Sequence, residues 1–243
     1  MGNRDTHRAA VALKERAKTA ITETWRSQAN LSLFLALVVF VSFVLPLLGF
    51  AGDELNLYSD VAFSFLLVSG VAIAWGSTNL FMLAASVGGV ALAIRWLAWF
   101  MPTATLELWS ESWTLLAIVV VNLVLLSQIF RAGRVRTVRV QGAVAVYLLF
   151  GVGWAHAYHI AAMRVPGSFV STNGAMTNLS GWIYYSFVTL TTVGYGDIAP
   201  AHEVTRILSV GEAVAGQLYL AVLIARLVAM EVISWQSTAN QNA

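Results

Sequence analysis

The stretch that decides the reading is YYSFVTLTTVGYGDIAP, Tyr184 to Pro200. Its first half is apolar enough for a short helix. Its second half sets two glycines, Gly194 and Gly196, two positions apart. Glycine weakens a helix interior and opens backbone angles closed to other residues, so the helix stops and the chain takes an irregular path. No Lys or Arg occurs between Arg164 and Arg206, on either side of the break.

The surrounding chain has the composition of a polytopic membrane protein. Of its 243 residues, 58% are hydrophobic and 11% charged, where an average soluble domain carries about a quarter charged. The absence of cysteine excludes disulfides, thiolate metal sites and thiol catalysis. Residues 1–30 read as a basic cytoplasmic tail, with Leu13, Ala17, Ile21 and Trp25 at near-helical spacing. The apolar run that begins at Leu31 is long enough to stay as a span, so no cleavable leader is expected.

Six apolar runs follow: Leu31–Phe50, Val61–Trp75, Leu80–Met101, Trp113–Phe130, Val140–Met163 and Val204–Trp235. A span needs about 20 residues. Val61 to Ile94 carries no charge, yet as one helix it would be about 50 Å long. Gly76–Asn79, GSTN, supplies turn chemistry in its middle. Charge placement supports six spans with a re-entrant segment between the fifth and sixth. Eleven of the fourteen Lys and Arg then share one side, which the positive-inside rule makes cytoplasmic. Asp53, Glu54, Asp60, Glu107, Glu111, Asp197 and Glu203 fall in the opposite loops. The re-entrant segment enters from outside, and irregular backbone survives there only if buried in protein or lining water.

TTVGYGD, Thr191 to Asp197, matches the signature of the tetrameric potassium-channel superfamily. From about Val140 to Trp235 the chain resembles that family's pore: outer helix, pore helix, filter and inner helix. The resemblance implies K⁺ ligation by the carbonyls of Thr192, Val193, Gly194 and Tyr195, with the Thr192 hydroxyl at the inner end. Gly194 and Gly196 would let successive carbonyls point the same way. Val193 and Tyr195 would pack away from the ions. One filter segment cannot close a ring, so a homotetramer is expected. The pore helix, about Gly181 to Thr191, would aim the negative end of its dipole at a central cavity.

Tyr184 and Tyr185 fall on the family's aromatic pair behind the filter, and the Tyr185 hydroxyl is expected to brace Asp197. Val188 stands where some relatives carry a glutamate paired with that aspartate, so the resemblance does not carry over that form of inactivation. Gly216 lies twenty residues past Gly196, the position of the family's hinge glycine, with close helix packing as the alternative. Gln217, Leu220 and Ile224 should line the cavity or inner gate. Glu212 is an intramembrane carboxyl, a hydrogen-bond acceptor behind the filter or an inert protonated group.

A voltage sensor needs arginines inside its fourth span, and Trp113–Phe130 has none. Arg95 reads as snorkelling toward Glu107 or Asp60. Residues 31–130 thus form a sensor-like domain without sensor charges. The basic linker, residues 131–139, holds Arg131, Arg134, Arg136 and Arg139, suited to anionic lipid heads or to solvent. His156 and His159 read as packing groups or polar contacts. His202 at the outer mouth is a candidate proton sensor, and Asn178-Leu-Ser180 matches a glycosylation sequon. In the short cytoplasmic tail, residues 236–243, no nucleotide-binding or calcium-binding domain is expected.

The sequence therefore reads as an all-α membrane protein of six spans, a multi-pass subunit with both termini cytoplasmic. The resemblance places it among small prokaryotic inner-membrane channels. K⁺ is the expected permeant ion, with no cofactor, enzyme activity or nucleic-acid partner expected. The alternatives are a subunit of a potassium-uptake transporter and a non-selective or accessory channel subunit.

Overall fold

A computed structural model describes residues 29–48, 55–74, 78–129, 137–172 and 178–241. The basic tail before Ala29, the GSTN turn at 76–77 and the arginines at 131, 134 and 136 lie outside the described residues, as do Asp53 and Glu54.

The first helix, α1 (Ala29–Leu47), buries Leu31, Phe34, Val38, Val41 and Leu45. That alternating three- and four-residue spacing makes one continuous stripe. Near its end the helix widens to a π turn over Phe40–Val44, with the Leu45 N–H donating to the Phe40 carbonyl. Pro46 explains the widening. It has no N–H for the Ser42 carbonyl, and its ring would collide with that carbonyl in a regular α turn.

Helices α2 (Leu55–Ile73), α3 (Thr78–Phe100) and α4 (Ala104–Ile129) follow. On α3 the buried face is Ala84, Gly88, Ala91 and Arg95, a stripe of small residues that admits close helix approach. It ends in a charge held inside the bundle. The Arg95 guanidinium pairs with Asp60 on α2 at 2.7 Å and lies over the Phe63 ring, 4.9 Å from its centroid. Arg95 is thus buried rather than snorkelled. Asp60, Glu107 and Glu111 are likewise on helices, where the sequence reading put them in loops. Glu111 on α4 contacts the ring of His156, and both are buried. Among the described residues no group of three side chains is placed to hold a metal.

Helix α5 (Thr137–Arg164) packs along α4 of the same chain. The principal core joins Phe34 of α1, Phe63 of α2, Ile118 and Leu125 of α4, and Leu149 and Val152 of α5. After α5 come a strand, β1 (Phe169–Ser171), helix α6 (Leu179–Leu190), strand β2 (Ile198–Pro200) and the long helix α7 (Glu203–Gln241). β1 and β2 pair antiparallel, Phe169 opposite Pro200 and Ser171 opposite Ile198. The fold is mostly helical, as expected, but this ribbon departs from an all-α reading. Three-residue strands leave no period in a sequence.

Among the described residues five helices are long and apolar enough to cross a membrane, and the apolar stretch of α2, Leu57–Ile73, is shorter. The chain has the make-up of a multi-pass membrane protein.

Candidate functional site at the end of the short helix

Helix α6 is capped at its start by Asn178, whose side chain accepts from the Gly181 N–H at 3.1 Å. The sequon residue is therefore engaged in helix capping. At the other end the chain turns back on the helix. The N–H groups of Val193 and Gly194 both donate to the Val188 carbonyl, at 3.0 and 3.3 Å, and the Thr192 N–H donates to Thr189 at 2.9 Å. Val188 thus contributes its backbone, which moors the start of the irregular segment.

That segment has an alternating backbone. Thr192, Gly194 and Gly196 have φ of 59°, 59° and 79°, while Val193 and Tyr195 between them stay at negative φ. In a strand, carbonyls point alternately to opposite sides. Alternating hands of twist instead bring successive carbonyls to one edge. For glycine this conformation is cheap. For Thr192, β-branched and the sole non-glycine at positive φ among the described residues, it costs roughly 1–3 kcal/mol. The Thr192 hydroxyl donates to the Thr191 carbonyl at 2.7 Å. Residues 191–196 are all exposed in the single chain, Val193 at 52% and Tyr195 at 71%.

The far end of the segment is also tied down. The Asp197 carbonyl accepts from the Thr172 N–H at 3.0 Å, and the Ala201 N–H donates to Ser168 at 2.8 Å. The Tyr184 hydroxyl donates to the Asp197 carboxylate at 2.8 Å, whereas Tyr185 meets the Ser209 hydroxyl at 2.7 Å. The expected brace therefore belongs to Tyr184, not Tyr185. Adjacent helix positions point about 100° apart, so only one of the pair can face the segment. Tyr185 turns into an aromatic cluster, edge-on to Tyr158 at 4.9 Å and to Phe169 at 5.3 Å.

Helix α7 runs unbroken through Gly216. A Cβ at Gly216 would lie 2.6 Å from Leu190 Cδ1 and 2.8 Å from the Leu190 carbonyl oxygen. Close approach of α7 to the end of α6 thus requires glycine here, the packing alternative to a hinge. Gln217 and Ile224 are exposed and Leu220 is half-buried. At the start of α7, His202 accepts from the Val204 N–H at 3.2 Å through Nδ1, capping the helix. Arg139 sits in the first turn of α5.

Sequence reasoning left open the surroundings of Glu212, and the structure supplies them. Its carboxyl is fully buried and bonds the Tyr158 hydroxyl of α5 at 2.5 Å and the Ser186 hydroxyl of α6 at 2.5 Å. Three elements meet at this one side chain.

Two pore potassium channel c of Oryza sativa subsp. japonica is 33% identical over 64 residues, 26% of this chain. The chain thus spans only 14% of that rice protein's length. No solved structure matches. Residues 142–232, from the first turns of α5 through most of α7, match the family model described as ion channel, and that stretch holds every group of the site except Arg139.

Proposed function

We propose that the chain is one subunit of a K⁺-selective channel, four copies of which surround a single pore. The observation that carries this is the alternating backbone of 192–196, moored at the end of a short helix and left uncovered. Carbonyls of Thr192, Val193, Gly194 and Tyr195 from four chains would stack as rings of oxygens replacing an ion's hydration shell. The rice protein's name, a potassium channel, favours the same ion.

The face that four copies would share is apolar and open. In α7 only 11% of the membrane-length window is buried, and Ile207, Val210, Val214 and Leu218 are exposed. The dipole of α6 points its negative end toward Thr191, where a cation would enter the cavity. Gln217 and Ile224 fit a lining of that cavity. Six spans with both termini cytoplasmic, a tail over 1–30 and a linker over 131–139 near anionic lipid complete the topology, and the cell membrane is its location. Helix α4 contains no Lys or Arg, so strong voltage dependence is not expected; each charge crossing the field contributes about 2.3 kcal/mol per 100 mV. Passive conduction needs no cofactor.

Bilayers holding the purified protein between unequal K⁺ and Na⁺ solutions test the reading. Currents should reverse close to the K⁺ equilibrium potential. Reversal near zero would exclude selectivity, and a silent bilayer would favour an accessory subunit.

A further inference from the structure

Glu212 presents a proton-counting problem. The Ser186 hydroxyl has one hydrogen and two close oxygens, the Gly151 carbonyl at 2.7 Å and the Glu212 carboxyl at 2.5 Å. A carbonyl only accepts. If Glu212 were ionised, it too would only accept, and one of the two contacts would set lone pair against lone pair. The Tyr158 hydroxyl cannot relieve this, because its hydrogen is spent on the other carboxyl oxygen. A proton on Glu212 resolves the count. The acid donates to Ser186, Ser186 donates to Gly151, and Tyr158 donates to the remaining oxygen.

Electrostatics points the same way. Glu212 is wholly enclosed within a single chain, and none of the ion pairs among the described residues involves it. The titratable groups that face it are phenols, Tyr147 and Tyr158 from α5 and Tyr185 from α6. An unpaired buried carboxylate is costly, whereas a hydrogen-bonded neutral acid is not.

We infer that Glu212 is a neutral carboxylic acid that positions the filter by clasping α5 and α6 to α7. The clasp sits on the buried side of α6, where Ser186 meets Gly151 of α5 and Glu212 of α7. Ser186 lies one turn before Leu190, whose carbonyl abuts Gly216. Holding Ser186 therefore holds the helix end from which residues 192–196 are hung. Ionising the acid would deprive Ser186 of its donor and loosen that end. The inference rests on reading this segment as a K⁺ filter only for its consequence in current, not for the protonation itself.

Two measurements on the full-length protein in lipid test it. The first is the infrared difference between wild type and Glu212→Gln at neutral pH. A carboxylic-acid C=O stretch should be present in wild type and missing from the variant; a lost carboxylate band in its place would overturn the inference. This readout is independent of conduction, so it survives a failure of the channel reading. The second is K⁺ current from neutral to strongly alkaline pH. Glutamine can donate to Ser186 and accept from Tyr158, so Glu212→Gln should conduct within about twofold of wild type, while Glu212→Ala and Ser186→Ala lose about tenfold or more. Wild-type current should fall at high pH, and the Glu212→Gln current should not. A glutamine variant as damaged as the alanine variant, or one that keeps the alkaline fall, would contradict the clasp.

Discussion

Helices α5 and α7 are both long, apolar and part of the segment that matches an ion channel, yet their surroundings differ. In α5, 61% of the membrane-length window is buried, against 11% in α7. Helix α5 is sheathed by α1, α2 and α4 of its own chain, through cores seeded by Phe34, Phe63 and Leu149. Helix α7 and the segment hung beside it meet their own chain on one side only. On that closed side, polar groups such as Glu212 and Ser186 are satisfied within the subunit. On the open side stand Val193, Tyr195, Ile207 and Leu218. This is the face at which further copies would complete the proposed pore.

Changes on the open side should therefore act on conduction, and the largest effect should come from Gly196→Ala. Nothing lies within 4 Å of the position a Cβ would occupy there, so the penalty is conformational. At φ of 79° an L-residue costs roughly 1–2 kcal/mol, repeated in each copy. K⁺ selectivity, read as the reversal potential, should be lost while the subunit's fold, read by circular dichroism, is kept.

Next comes a matched pair on α7. Gly216→Ala must displace the Leu190 backbone, and overpacking of this kind costs about 1–3 kcal/mol. Gly211→Ala meets only the Trp154 ring, at 3.7 Å, and should be neutral or gain a few tenths from helix propensity. Thermal unfolding of the two variants in the same lipid checks the contrast. A Gly216→Ala protein as stable as wild type, with altered gating alone, would restore the hinge account.

A smaller effect is expected at the tether of Asp197. Tyr184→Phe loses the bond to Asp197, which at this exposure contributes about 1 kcal/mol or less, and should speed the decline of current during long depolarisation. Tyr185→Phe leaves that bond intact and should decline at the wild-type rate. The smallest is Asn178→Ala, which removes the cap of α6 and should lower stability by about 1 kcal/mol in a denaturant titration.

The pattern of these cases also shows what a sequence can carry. The break after residue 190 was legible from the paired glycines, and the φ values at 194 and 196 are those that only glycine adopts cheaply; the use of that stretch as a filter was read from its resemblance to the potassium-channel signature. The choice between Tyr184 and Tyr185 was not legible, since it turns on helix phase, where one position is about 100° of rotation. The sequence offered Asp60 and Glu107 to Arg95 without choosing between them, and the partner of His156 was hidden. Asp60 and Glu111 lie near helix ends, and composition alone cannot tell an end that faces water from one that faces a neighbouring helix. Glu212 announced itself as an intramembrane carboxyl, but its proton count needed the positions of Gly151 and Tyr158 on α5 and Ser186 on α6, far from it in the chain.

The most direct test of the central claim is the number of chains that complete the open face. Native mass spectrometry of the protein released from lipid nanodiscs should give a single dominant species of four times the 26.3 kDa subunit, with K⁺ retained. A monomer or a dimer that still conducts K⁺ would contradict it.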